Sequence, residues 1–190
     1  MAESPVSLYQ GGGGGTLAQA VLASAPEGML IAPVWKRVAA FMLDVMLISI
    51  VLTFLTNGQL TLNLLNFELL TGGAEYILFF SSNWAILLTS HWLYWKYTGR
   101  VYGRSLGQRA FRIAIVHDNG TALEQHHWGP RAVGKLIYLL PIVGPLWFGL
   151  RDAFDARSKD AEYRTSIDKK NHTVAAVDWS LPVETRTKLR

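Results

Sequence analysis

A chain of 190 residues is the length of one domain with tails, and half of it is apolar, with a mean hydropathy of +0.19. The net charge is +4 and the pI near 9.4, yet Lys and Arg form no polybasic block, which argues against a nucleic-acid arm and for an anionic membrane face. Cys is absent, so disulfide frameworks and thiolate metal sites are excluded.

The first 28 residues include five consecutive glycines, and each opposes helix and strand through lost backbone entropy. No basic stretch precedes an apolar core, so this segment does not read as a signal peptide. A flexible Gly-rich tail over 1–28 is expected, followed by a membrane domain over 29–180.

The stretch "VWKRVAAFMLDVMLISIVLTFLTN" comes next. Its nineteen residues Val38 to Thr56 are apolar or small except for Asp44. A second run, Tyr76 to Trp95, holds twenty residues without Asp, Glu, Lys or Arg. At 1.5 Å rise each covers about 28–30 Å, the thickness of a hydrocarbon core. Both are predicted to be transmembrane helices. Lys36 and Arg37 precede the first, and Lys96, Arg100, Arg104, Arg109 and Arg112 follow the second. The connection Asn57 to Glu75 has neither Lys nor Arg. By the charge rule both outer ends are cytoplasmic. Trp35, Trp92, Tyr94 and Trp95 fall at the inner boundary, where amphipathic rings prefer to sit. "LNLLNFELL" reads as an interfacial stretch on the outer face.

"GRVYGRSLGQR", Gly99 to Arg109, is basic and glycine-punctuated but lacks the spacing of a phosphate loop, so contact with lipid headgroups is expected. "FRIAIVHDNGTAL", Phe111 to Leu123, carries an Asp118-Asn119-Gly120 turn signal and reads as a β-hairpin. His126 and His127 read as loop residues, because neighbours in sequence point apart and no third metal ligand of suitable spacing follows. The third apolar run, Leu136 to Leu150, has fifteen residues broken by Pro141, Gly144 and Pro145. A re-entrant hairpin is expected, with a kinked third span as the alternative. Crossing would place nine of the eighteen Lys and Arg residues outside. His172 to Trp179 is a third strand candidate, and 181–190 a basic tail. The fold class is an all-α membrane core of two transmembrane helices and a Pro-broken third segment, with a small cytoplasmic three-stranded β element.

Arg37 and Asp44 lie on one face of the first helix, about 10 Å apart in depth. A carboxylate at that depth costs about 2.5–3.5 kcal/mol unless partnered or hydrated. A cluster of Arg37 and Asp44 with Thr89, Ser90 and His91 of the second helix is expected. Its role is either structural anchoring or ion binding. No HExxH, GxSxG or nucleophile–base pattern occurs, so neither enzyme activity nor a cofactor nor a metal is expected.

Three segments in order carry a family resemblance: "WKRVAAFMLDVMLI", "GRSLGQRAFRIAIVHDNG" and "FDARSKDAEYRTSIDKKNHTVAAV". Together, over Trp35 to Asp178, they resemble the RDD family of bacterial membrane proteins, named for an arginine and two aspartates. On that match Arg37 and Asp44 are the first two, Asp168 is the second aspartate, Thr173 opens the final strand, and Asp155 and Arg157 fill the preceding piece. Ser105 and Gln108 depart from the usual Thr and Lys, Ile167 from a common His, and Asn171-His172 from a small pair. The resemblance implies an integral protein of the bacterial plasma membrane, with a link to solute or cation/proton transport; a transport role is expected to need a homo-oligomer, since two or three membrane segments leave little room for a sealed path. The alternative is an accessory or scaffold subunit of a larger membrane complex. Arg37, at the boundary, is expected to serve both Asp44 and Asp168, since one guanidinium offers five donors.

Overall fold

A computed structural model describes residues 6–7 and 28–189. Two long helices run antiparallel, α1 (Val34–Leu55) and α3 (Ala74–Tyr102), joined by the short α2 (Gln59–Leu65) and a 3-10 turn over Phe67–Leu70. On α3 the buried residues His91, Trp95 and Gly99 recur every four positions, so one stripe faces the partner helix. On α1 the stripe contains only Ala40 and Asp44. The opposite side of α1 exposes Met42, Met46, Ile50 and Phe54, again every four residues. An aqueous protein rarely leaves such a stripe uncovered.

Among the described residues α1 is the one continuous helix long and apolar enough to cross a membrane, and only 11% of its most apolar window is buried. The core helix of a water-soluble domain is mostly buried, which α1 is not. α3 is longer, at 29 residues, but Asn83, His91 and paired serines lower its hydropathy.

Gly103 ends α3 in the left-handed conformation, φ 70°, and the chain turns at once into α4 (Leu106–Ala110). β3 (Ile113–His117) follows and pairs antiparallel with β4 (Thr173–Val177), in register Ile115 to Ala175. β2 (Leu30–Ile31) adds to the other edge of β4, and β1 (Val6–Ser7) to β2, so the order is β1-β2-β4-β3. The expected pairing of the hairpin strand with the final strand is present. The hairpin's second arm, however, is a single bridge between Val116 and Ala122, and Leu30–Ile31 takes the third place in the sheet. Period-two alternation sorts the side chains. Ile113, Ile115, Ala175 and Val177 face Ala40 and Trp128, whereas Ala114, Val116, Val174 and Ala176 face Met29 and Leu181. With both faces covered, the strands are short and continuously apolar.

The third apolar run does not form one helix. α5 (Trp128–Leu136) passes through a 3-10 turn, and the chain bends by 113° before a π-helical stretch (Gly144–Gly149) leads into α6 (Leu150–Asp155). Ile142, at the tip, has φ 62°, which a β-branched residue adopts only in a forced turn. Pro141 lines the same cleft as Ser49, Leu52, Trp84 and Leu87, midway along the two long helices. Tyr138, on the way out, then bonds Asp152 on the way back. The segment thus leaves and returns at the same end of the helix pair, the end that carries the sheet. α7 (Ser166–Lys170) precedes β4, and α8 (Val183–Lys188) closes the chain. Residues 181–190 were expected to be a tail, but Leu181 is buried and the Thr185 hydroxyl donates to Gly120 O at 2.8 Å. The expected tail over 1–28 falls mostly outside the described residues.

Candidate functional site

Two capping boxes bring the conspicuous carboxylates into position. At α4 the Ser105 hydroxyl accepts from the Gln108 amide (3.3 Å), while the Gln108 side chain accepts from the Ser105 amide (2.9 Å). This fixes the Ser105 hydroxyl so that it donates to Asp44 Oδ2 at 2.5 Å. The Gly107 amide donates to Asp44 Oδ1 at 2.7 Å, as does the Tyr94 hydroxyl at 2.7 Å, and Trp95 Nε1 donates to Oδ2 at 3.3 Å. Asp44 is 1% exposed. Four donors, none of them charged, fill its oxygens, and among the described residues no cation pairs with it. Gly107 is required for steric reasons, since a Cβ there would overlap the carbonyl oxygen of Ala40. The departure of Ser105 from Thr keeps the hydroxyl that this geometry uses.

The second box lies at α7. The Thr165 hydroxyl accepts from the Asp168 amide (3.2 Å), and Asp168 Oδ2 accepts from the Thr165 amide (3.4 Å) and hydroxyl (2.9 Å). Here the carboxylate also meets cations. Arg131 Nη2 lies 2.8 Å from Oδ1, and Arg37 Nη1 lies 3.8 Å from Oδ2. The Thr173 hydroxyl receives a bond from Arg131 and donates to Asp168 Oδ1 at 3.3 Å. Burial alone would raise the Asp168 pKa, but the Arg131 and Arg37 charges outweigh it and hold the carboxyl below its ordinary value.

Arg37 does not bridge the two aspartates as expected. Its donors go to the carbonyls of Ala32 (2.9 Å), Tyr163 (3.1 Å) and Ala175 (3.2 Å), besides its approach to Asp168. The reason is geometric: carbonyls of β4, of the residue after β2 and of the turn before α7 converge on the guanidinium, and Asp44 is already saturated. The expected polar partners on α3 also need correction. Thr89 is exposed and Ser90 half-buried, and neither bonds Asp44; the partners come one turn further on, at Tyr94 and Trp95. His91 is fully buried and shares a 2.8 Å contact with Leu87 O, its ring centroid 5.5 Å from that of Trp95.

Arg37, Asp44 and Asp168 nevertheless line one cavity of about 300 Å³ between α1, the sheet and the bent segment. Its walls are apolar, formed by Val38, Phe41, Ile115 and Leu150, and Arg131, Lys135 and Asp152 complete the charged end. Asp152 accepts from the Tyr138 hydroxyl and from Ser166 Oγ at 2.6 Å. Lys135 Nζ sits 5.1 Å from the Trp95 ring centroid, and among the described residues no carboxylate pairs with it. Arg131, Lys135 and Asp152 were missed in the sequence because each flanks an apolar run rather than interrupting one.

In chemical terms the arrangement can anchor, and it can hold a small polar group beside Lys135. The RDD family model matches residues 31–160, more than half of the chain. No curated protein and no solved structure gives a match.

Proposed function

Since the chain belongs to the RDD family, we propose that it is a multi-pass protein of the bacterial plasma membrane that serves as a non-catalytic accessory or scaffold subunit. In this reading α1 and α3 cross in opposite directions, the bent segment is re-entrant, and the sheet and both chain ends are cytoplasmic. Support for the orientation comes from the Lys- and Arg-free connection Asn57 to Glu75 at one end and the basic residues around the sheet at the other. The observation that carries the scaffold role is the saturation of Asp44. A carboxylate filled by four neutral donors fastens α1 to α3 and α4, and it has no vacant lone pair facing a path for ions. The exposed apolar stripe of α1 then meets lipid, a second copy or the helices of a larger complex.

A second reading, solute or cation/proton transport by a homo-oligomer, draws on a different observation: Lys135 shares an open cavity with Asp44, Asp152 and Asp168 and makes no close ion pair among the described residues. Reconstituted vesicles separate the two. The scaffold reading expects gradient-driven ion flux no greater than in empty vesicles, together with a membrane protein that co-purifies in fixed ratio. Flux that vanishes in a folded Lys135→Met variant would establish transport instead.

A further inference from the structure

We propose that His117, Glu124, His126 and His127 form a binding site for a divalent transition-metal ion of the zinc class. The segment Gln125–His127 is a 3-10 turn, closed by a bond from the His127 amide to Glu124 O at 3.2 Å. Side chains three apart eclipse in such a turn, which brings Glu124 and His127 to one side. Ligand atoms of Glu124, His126 and His127 all lie within 4.8 Å of one another, and Glu124 Oε2 is 3.2 Å from His126 Nδ1. The two neighbouring imidazoles do not point apart as expected from sequence: their centroids are 4.0 Å apart at 36°.

A third imidazole arrives from β3. The Asp118-Asn119-Gly120 turn returns the chain beside the end of that strand, and the His117 ring stands edge-on to His127 with centroids 4.9 Å apart. Three imidazole nitrogens and one carboxylate oxygen are the donor set that zinc takes in tetrahedral sites. Zinc–nitrogen bonds of about 2.0–2.1 Å require the ligand atoms of Glu124, His126 and His127 to close by roughly 1 Å, and the His117 ring to turn in from its place beside His127. Glu124 and His126 are exposed, so an ion enters without opening the fold. The turn leads directly into α5, which carries Arg131 and Lys135 into the cavity, so the ion would clamp the end of β3 to the head of that helix.

The test is zinc titration of the full chain in detergent, purified without a polyhistidine tag and stripped with chelator. One zinc per chain is expected, with a higher thermal midpoint in stoichiometric zinc. His127→Ala and Glu124→Gln should each weaken binding at least tenfold, and His117→Gln should weaken it less if His117 is the outermost ligand. Glu75→Gln, an exposed carboxylate in the first turn of α3, serves as the control and should bind normally. Circular dichroism of the zinc-free variants confirms that they fold. Absence of stoichiometric zinc in the wild type, or binding unchanged in both His127→Ala and Glu124→Gln, overturns the proposal.

Discussion

Asp44 is surrounded by donors that carry no net charge, whereas Asp168 sits between two guanidinium groups. Both are almost fully buried, and both are approached by a capping box. The difference lies in what surrounds them. Asp44 is placed among two long helices and a loop, where hydroxyls, an indole and a backbone amide can be aimed at one point. Asp168 lies against the sheet, where Arg37 and Arg131 converge from two helices. A buried carboxylate needs its lone pairs filled, and fixed dipoles do this as well as cations do. The two sites should therefore fail differently when they are perturbed.

The largest effect is expected at the charged site. Asp168→Ala leaves two buried guanidiniums without their anion, and breaking such a pair costs about 3–5 kcal/mol. A thermal midpoint of purified protein close to wild type would mean that the carbonyls on Arg37 and the Thr173 hydroxyl on Arg131 hold the two charges without the anion. Gly107→Ala comes next. Its new Cβ meets the Ala40 carbonyl oxygen, which is backbone and cannot rotate away, so overpacking should cost about 1–3 kcal/mol. The same substitution at Gly129, where a Cβ has open space, is the reference and should be near neutral.

Asp44→Asn keeps the shape but turns one acceptor into a donor. It should leave the Ser105 hydroxyl or the Trp95 indole unpaired at a cost of about 1–3 kcal/mol, read as a lower urea midpoint. Equal losses in Asp44→Asn and Asp44→Ala would show that the donors do not depend on the carboxylate. The smallest effect is the response to acid. The folded Asp168 pKa lies below its ordinary value of 3.8, so its contribution to stability is complete above that pH. It is lost as pH falls from 3.8 through the folded value, because the unfolded chain binds the proton first. The stability gap between wild type and Asp168→Asn should accordingly narrow below pH 3.8 and stay constant above it.

Much of this architecture could be read from residue order. The apolar run with one carboxylate became α1, and the Pro-broken run became a bend. The strand pair was visible because Ile113, Ile115 and the Asn119-Gly120 turn leave a period-two mark, and Thr173 to Val177 is a compact apolar partner. The pairing of charges was not visible. Helical spacing told that Arg37 and Asp44 share a face, but not that the carbonyls of Ala32, Tyr163 and Ala175 would meet the guanidinium first. Likewise, matching depth on α3 pointed to Thr89, Ser90 and His91, while Tyr94 and Trp95, one turn further on, reach the carboxylate. Donors that are backbone amides, such as that of Gly107, leave no mark in composition at all. The neighbours of the histidine pair, Glu124 and His117, precede it in sequence, so a search for ligands downstream does not meet them.

A double-mutant cycle centred on Arg37 addresses the assignment of partners most directly, because that one side chain was a candidate for both aspartates. Measured by unfolding in detergent, the Arg37→Ala and Asp168→Ala pair should couple by about 0.5–3 kcal/mol, and the Arg37→Ala and Asp44→Ala pair should add independently. Strong coupling between Arg37 and Asp44, with none between Arg37 and Asp168, would contradict the account.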